Sequence, residues 1–153
     1  MPEAIISDTS CFIILSKIGE LLLLAKLYGT IITTPQIAEE FGENLPEWIR
    51  IIPVSDEYKL RLLELQIGRG EASAIALALE RKGSLLILDD YKARCLAAQL
   101  ELNYTGTLGL IISAKRKGII PTVKPLIEKI KQTNFHISIE LESKVLIEAD
   151  ETT

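Results

Sequence analysis

Residues 84–94 read SLLILDDYKAR, and this stretch decides the fold class. Four large aliphatic side chains in a row are typical of a strand buried on both faces, as in a parallel sheet covered by helices. The run stops at two adjacent carboxylates, Asp89 and Asp90. Two interpretations are open: the aspartates begin a turn at the surface, or they join acids from elsewhere in a site at the end of the sheet.

Short β-type segments alternate with helical segments along the whole chain. Predicted strands are AIIS, TIITTP and SLLILD, with WIRIIPVS as a possible edge strand, NYTGT as a loop or short strand, and FHISI as an extended piece before a closing helix. This alternation predicts a parallel sheet with helices on both faces. The length of 153 residues predicts one domain over residues 1–153, with a C-terminal extension from about residue 121.

Composition excludes several classes of protein. Hydrophobic residues make up 48% of the chain and aromatic residues 5%, which predicts an aliphatic core. Cys11 and Cys95 are far apart and form no C-x-x-C pair, so we expect two buried free thiols, no zinc site and a cytoplasmic protein. The N-terminal MPEAIISD lacks the features of a signal peptide, and the most apolar window contains Lys17, Glu20 and Lys26, too polar for a membrane span. A net charge of −4 argues against a broad nonspecific nucleic-acid binder.

Acidic residues stand near the predicted mouth of the sheet at several places. They are Asp8, Glu39 or Glu40, Glu71, and Asp89 or Asp90. No Lys or Arg stands at matching positions, so converging carboxylates would raise one another's pKa unless a divalent cation held them together. Oxygen-only ligands favour Mg²⁺ or Mn²⁺ over zinc. The chemistry natural to such a site is metal-assisted hydrolysis of a phosphodiester.

Each acid also has a structural interpretation as a helix cap, a complement to a helix macrodipole or a solvated surface charge. Their joint placement favours the functional one. His136 is the only histidine, and no Ser-His or Cys-His nucleophile system is indicated. Lys92 and Arg94 directly follow the aspartate pair and are candidates to contact a substrate phosphate.

Several motifs occur in the order in which PIN domains carry them. They are IISDTS, TTPQIAEEF, GRGEASAIALA, LLILDDYKAR and, in one subgroup, GTLGLIISAKRKGII. Over nearly its whole length the chain therefore resembles a PIN domain of the compact prokaryotic kind, which includes VapC-like toxins and predicted nucleic-acid-binding proteins. The resemblance implies a three-layer α/β/α sandwich and an endoribonuclease that depends on Mg²⁺ or Mn²⁺. It also implies a homodimer and, in many members, the toxin half of a toxin–antitoxin pair with a small antitoxin protein.

Carried over residue by residue, the resemblance implies a set of metal-site and catalytic acids and a set of hydrogen-bonding helpers. The acids are Asp8, Glu40, Glu71 and one of Asp89 and Asp90; the helpers are Thr9, Ser10 or Thr107. Successive side chains of a strand point to opposite faces, so Asp89 and Asp90 should not both enter one site. A Thr-x-Asp signature favours Asp90, whereas the subgroup and the continuity of the strand through Leu88 favour Asp89. We expect Asp89 to be the ligand and Asp90 to support it or cap a helix.

Two departures from the family pattern keep alternatives open. Many members have Asp where this chain has Glu71, and threonine where it has Leu88. The alternative to an enzyme is a PIN-fold module that binds RNA or forms dimers with weak or no catalysis. A phosphoacceptor domain of the response-regulator type is disfavoured, because its acid pair should follow the first strand rather than a late one.

Overall fold

A five-stranded parallel sheet forms the centre of the computed structural model, which describes residue 2 and residues 4–151. The strands are β1 (Ala4–Ser7), β2 (Ile31–Thr33), β3 (Ile49–Ile51), β4 (Ser84–Ile87) and β5 (Asn103–Thr105). Their order is β3-β2-β1-β4-β5, and every neighbouring pair is parallel. The predicted parallel sheet is therefore confirmed, with β3 at an edge as expected for a segment followed by Pro53.

Helices cover both faces of the sheet and complete a three-layer α/β/α sandwich. They are α1 (Thr9–Lys17), α2 (Leu22–Tyr28), α3 (Pro35–Phe41), α4 (Glu57–Glu64), α5 (Arg69–Glu80), α6 (Tyr91–Gln99), α7 (Thr107–Arg116), α8 (Lys124–Lys131) and α9 (Ile139–Glu148). No helix within residues 4–151 is long and apolar enough to cross a membrane.

The alanine-rich helix α5 packs across the two central strands. It contacts β1, β4, α3, α4 and α6, and eight of its residues are buried: Gly70 and the seven from Ala72 to Ala78. Small side chains such as Ala74 and Ala76 let the helix be enclosed on nearly all sides, while Ile75 and Leu77 fill the space that remains. This packing fixes where the first turn of α5 meets the sheet.

The register of β1 and β4 brings their carboxyl ends to the same level. Ser7 lies opposite Ile87, and the backbone N–H of Asp8 donates to the carbonyl of Ile87 at 3.0 Å. The next backbone N–H of the other strand, that of Leu88, donates to the carbonyl of Thr105 at 2.8 Å. The residues that follow β1, β4 and β5 therefore emerge side by side at one edge of the sheet.

Two local features concern the start of α1 and the cysteines. Asp8 caps α1, because its extended backbone lets the carboxylate reach the N–H of Cys11 at 3.0 Å. Cys11 is buried as expected, whereas Cys95 is exposed, because α6 turns its alanine face inward and Cys95 lies on the opposite face.

The predicted extended piece FHISI forms no strand in the part of the chain that the structure describes. The backbone N–H of Phe135 donates to Thr133 Oγ1 at 3.1 Å rather than to a sheet edge, and Thr133 Oγ1 donates in turn to the carbonyl of Ile130 at 2.6 Å. Residues 135–138 are therefore an irregular segment between α8 and α9 that pairs with no strand, and Ile139 begins α9.

The C-terminal helices are tied back to α7. Glu151 accepts hydrogen bonds from the backbone N–H groups of Val123 at 2.7 Å and Lys124 at 3.2 Å, and it pairs with Lys115 at 3.1 Å. These bonds lower the pKa of Glu151 although its partial burial opposes the shift. Helix α9 also packs against α7. An extension starting near residue 121 stays a prediction.

Candidate active site at the carboxyl ends of the strands

Asp8 is a nearly buried carboxylate at the end of β1, with 3% of its surface exposed. Its Oδ1 accepts the N–H of Cys11 as the cap of α1, and its Oδ2 accepts the backbone N–H of Asp89 at 3.1 Å. The capping role and a site role therefore coexist in one side chain. Asp8 links the end of β1 to the segment that follows β4.

Asp89 is half-buried and is held by the start of α7. Its Oδ1 accepts the backbone N–H of Thr107 at 2.8 Å, and its Oδ2 accepts the Thr107 hydroxyl at 2.5 Å. A negative charge here also complements the positive end of the α7 macrodipole. Gly106, the residue before Thr107, leaves room for the Asp89 carboxylate, because a Cβ atom at position 106 would lie only 2.9 Å from Asp89 Oδ1.

Leu88, which stands where many PIN domains have threonine, is fully buried in the core. The hydroxyl that reaches Asp89 comes instead from Thr107, one strand further along the sheet. Thr107 thus binds both oxygens of Asp89, and its role as a helper at a metal site stays a prediction. The departure at Leu88 thus leaves Asp89 with a hydroxyl partner.

Both aspartates have a raised pKa, because they lie largely out of water. Burial, together with the negative charges of Asp89 and Glu71, raises the pKa of Asp8 from 3.8 to about 8. Burial also raises the pKa of Asp89, although the hydrogen bonds from Thr107 and the positive charge of Arg94 oppose it. We predicted no basic residue beside these acids; Arg94 is close enough to Asp89 to change its pKa. Burial, followed by the negative charges of Asp8 and Asp89, raises the pKa of the Cys11 thiol.

Glu71 lies in the first turn of α5, and its carboxylate folds back over Gly68. A Cβ atom at Gly68 would lie 2.5 Å from Glu71 Oε2. Glu71 is half-buried and near enough to Asp8 to raise its pKa. It therefore belongs to the electrostatic surroundings of the aspartate pair.

Glu40, not Glu39, turns toward the rest of the acids. Glu40 Oε1 accepts the hydroxyl of Thr9 at 2.8 Å, and its carboxylate occupies the space that a side chain at Gly70 would take. Glu39 is exposed and pairs with Arg69 at 3.5 Å. The structure thus separates these adjacent glutamates: one faces the start of α5, and the other is a surface charge.

Asp90 is exposed and caps α6, where its Oδ2 accepts the N–H of Ala93 at 2.9 Å. This is one of the two supporting roles expected of it. Ser10 and Lys92 are also exposed. Arg94 is half-buried and lies over the ring of Tyr104, 5.2 Å from its centroid. Of the two basic candidates, only Arg94 is held in place by a contact of this kind.

The predicted acids do not form a ready metal cluster. Among the residues that the structure describes, no group of three or more His, Cys, Asp or Glu side chains is arranged to hold a metal ion. The Asp8 carboxylate binds the backbone N–H of Asp89, whereas the carboxylates of Glu40 and Glu71 lie over the backbone at Gly70 and Gly68. The assignment of all four as metal ligands stays a prediction.

A buried hydroxyl chain that the sequence analysis missed fixes the start of α5. Ser73 Oγ donates to the carbonyl of Gly70 at 2.7 Å, so the 2.6 Å contact with Thr34 places the Thr34 hydroxyl as donor to Ser73. Thr34 Oγ1 also accepts the N–H of Ile37 at 3.2 Å and so caps α3. The threonine before proline in TTP is the signal that indicates this cap. The chain of bonds links the end of β2 to the turn that carries Glu71.

The comparisons with known proteins agree with this geometry. The model of the family described as PIN domain matches residues 4–151. No curated protein and no solved structure gives a significant match. Because the family match spans nearly the whole chain, the protein belongs to the PIN domain family, which has a nuclease-type fold and whose members are generally hydrolases.

Proposed function

We propose that this protein is an endoribonuclease that depends on Mg²⁺ or Mn²⁺, with Asp8 and Asp89 at the centre of the metal site and Glu40 and Glu71 as further ligands. The observation that carries the proposal is the buried aspartate pair, in which Oδ2 of Asp8 accepts the backbone N–H of Asp89 and both pKa values are raised. Two such carboxylates are costly to hold charged unless a cation neutralises them. PIN domain nucleases generally use divalent metals.

The donor atoms of the pair suit a hard divalent cation. Each carboxylate oxygen of Asp8 and Asp89 accepts one hydrogen bond from the protein and keeps a further lone pair. Mg²⁺ is commonly held by one or two carboxylates together with waters and substrate phosphates, rather than by an all-protein cage. A pair without a ready third ligand therefore fits such a cation, and Glu71, which is near enough to Asp8 to raise its pKa, is the first candidate for a further ligand, with Glu40 as the second.

When bound, a divalent cation lowers the pKa of a water and stabilises charge on a phosphoryl group. The chain itself supplies orientation. Thr107 holds both oxygens of Asp89, and the backbone N–H groups of Cys11 and Asp89 hold those of Asp8. Arg94, resting on Tyr104 beside Asp89, is placed to contact an oxygen of the substrate phosphate, and the exposed Lys92 is a second candidate.

The test is cleavage of labelled single-stranded RNA by the purified full-length protein. Cleavage is expected with Mn²⁺ or Mg²⁺ and not with EDTA, together with a rise in melting temperature on addition of Mn²⁺. Mass spectrometry of the products would show internal cuts rather than loss of terminal nucleotides. A protein that neither cuts RNA nor changes its melting temperature with Mn²⁺ would contradict the proposal.

The family resemblance supports two proposals about partners. One is that the chain forms a homodimer, which light scattering at several concentrations checks. The other is that it is a toxin restrained by a small antitoxin protein. Induced expression would then stop growth in wild type and not in Asp89→Asn, and a small partner encoded beside it would co-purify and restore growth.

One observation favours a second function, a PIN-fold module that binds RNA with little or no turnover. Glu40 and Glu71 rest over glycine backbone rather than on the aspartate pair, and no group of three ligands is preformed within residues 4–151. This candidate predicts RNA binding without cleavage under every divalent cation tried. It also predicts that binding is unchanged in Asp8→Asn.

A further inference from the structure

We propose that the groove between α7, α9 and the turn at residues 133–136 binds one unpaired nucleobase of the RNA next to the phosphate that is cut. The inference rests on the proposed function, since it takes RNA as the ligand. The groove has a volume of about 460 Å³, within the range of pockets that hold small molecules, and large enough for one nucleotide. One end of it is formed by Asp89, so a nucleotide bound there lies directly beside the aspartate pair.

The groove is lined by apolar side chains. Leu108 and Ile112 of α7 and Val145 of α9 provide aliphatic contact for a flat ring. Gly109 also lines the groove, and the space that a Cβ atom there would take is filled by the Thr105 hydroxyl, so this glycine lets α7 pack closely against the end of β5.

Phe135 lines the groove, and its backbone is held by the end of α8. Its backbone N–H is bound by Thr133, whose hydroxyl is anchored on the end of α8. The Phe135 side chain borders the groove with Asp89 on one side and, on the other, a smaller cavity of about 190 Å³ that reaches Ser10 and Lys17. An aromatic ring between two clefts suits stacking on a base, which tolerates any sequence but requires the base to be unpaired.

The charges around the groove suit the phosphates on either side of that base. Arg94 and Lys144 line the groove, with Lys144 on α9, and His136 lies in the segment that joins α8 to α9. Two acids, Asp89 and Glu148, also line the groove. Arg94 and Lys144 balance these two carboxylates in the metal-free protein, and a cation at Asp89 would leave the rim positive. A nucleotide with its flanking phosphates matches this combination of apolar lining, aromatic ring and basic rim.

The test measures binding in EDTA, where no cleavage occurs, by anisotropy of a labelled single-stranded RNA octamer. Phe135→Leu keeps the apolar packing and removes the aromatic face, so affinity should fall by about 5- to 150-fold, the range measured for loss of one base stack. Tyr58→Leu is the matched control, since Tyr58 is a highly exposed aromatic residue on α4. An octamer that is abasic at every position should bind wild type and Phe135→Leu equally, and a duplex that contains the labelled octamer sequence should bind weakly.

Lys144→Ser tests the basic rim in the same assay. It should reduce the slope of log affinity against log salt by about 0.7, the value for one phosphate contact on a single strand. Lys82→Ser removes the same charge before β4, at the opposite end of the sheet, and should leave the slope unchanged.

Loss of affinity that is equal in Phe135→Leu and Tyr58→Leu, an unchanged affinity in Phe135→Leu, or duplex binding as tight as single-strand binding would each overturn the inference. These outcomes are separable from failure of the nuclease proposal. Cleavage with Mn²⁺ but no effect of the groove variants removes the base subsite alone. If RNA affinity in EDTA depends on Phe135 but no cation supports cleavage, the nuclease proposal is wrong and the base subsite stands.

Discussion

Oδ2 of Asp8 accepts the backbone N–H of Asp89 at 3.1 Å, so one member of the buried acid pair helps to set the backbone from which the other projects. The two residues are joined through neighbouring parallel strands, because Ser7 of β1 lies opposite Ile87 of β4. A substitution at Asp8 therefore alters both the charge of the site and the backbone geometry after β4. A substitution at Asp89 alters the charge with less effect on that geometry.

Asp89→Asn should abolish metal-dependent cleavage and leave the fold intact. The Thr107 N–H still finds the amide oxygen, and the Thr107 hydroxyl can rotate from donor to acceptor for the new NH₂ group. The free energy of unfolding near neutral pH should be unchanged or higher, since a buried charge is removed. Cleavage of RNA and the shift in melting temperature with Mn²⁺ are the two measurements.

Asp90→Asn is the matched control for that variant. Asn and Asp cap helices about equally well, so α6 should keep its cap and the variant should cleave like wild type. Loss of activity in Asp90→Asn with full activity in Asp89→Asn would reverse the assignment and make Asp90 the ligand.

The metal-free protein should lose stability as pH rises. The pKa of Asp8 is raised from 3.8 to about 8, so between these values the folded state binds more protons than the unfolded state. The free energy of unfolding then falls with pH across this window, and the contribution is fully present only below 3.8. Urea unfolding in EDTA at a series of pH values measures the slope.

Asp8→Asn should flatten the dependence of the free energy of unfolding on pH. Its free energy at a single pH is a poor measure, because the asparagine NH₂ group would face the N–H of Asp89 and one hydrogen bond would be lost at every pH. Saturating Mn²⁺ should also flatten the slope in wild type. A wild-type slope that is the same in EDTA and in Mn²⁺ would argue against a cation at the aspartate pair.

Much of this fold could be predicted from the sequence, because the signals are local. The aliphatic runs of β1 and β4, proline at the first position of α3 and the alanine-rich α5 each encode their own structure. That the ends of β1 and β4 meet also follows from the rule for parallel sheets. The aspartate pair was therefore within reach of sequence reasoning.

The rest depended on side-chain partners that spacing does not specify. Which of the exposed Glu39 and Glu40 side chains lies over the start of α5 depends on Thr9 and on the open backbone at Gly70. The hydroxyl that supports Asp89 comes from Thr107, eighteen residues along the chain. The FHISI piece is predicted as extended, and the structure adds that the backbone N–H of Phe135 binds Thr133 rather than a neighbouring strand.

Thr107→Val should weaken metal binding by removing a hydrogen bond to Asp89, without replacing any of the proposed ligands. The backbone N–H of Thr107 stays bound to Oδ1, but Oδ2 loses its hydroxyl donor, at a cost of about 1.5–3 kcal/mol for a bond to a charged group. The pKa of Asp89 should rise further, because one of the bonds that lowers it is gone. Higher Mn²⁺ concentrations should then be needed for half-maximal cleavage.

Thr107→Ser keeps the hydroxyl and serves as the control. It should need the same Mn²⁺ concentration as wild type, with only a small loss of stability from the missing methyl group. If Thr107→Ser and Thr107→Val behave alike, the hydroxyl bond to Asp89 is not what orients the site.

Gly70→Ala tests whether Glu40 is a ligand, without altering any acid. A side chain at position 70 would take the space of the Glu40 carboxylate, which is the flexible end of an exposed side chain and can move away. Alanine also favours the helix over glycine by about 1 kcal/mol, so the free energy of unfolding should be unchanged or slightly higher. If Glu40 binds the metal, Gly70→Ala and Glu40→Gln should both require more Mn²⁺ for cleavage, while Glu39→Gln, which removes only the surface pair with Arg69, should not. Wild-type Mn²⁺ dependence in Gly70→Ala and Glu40→Gln would remove Glu40 from the site and leave the buried aspartates with Glu71 as its acids.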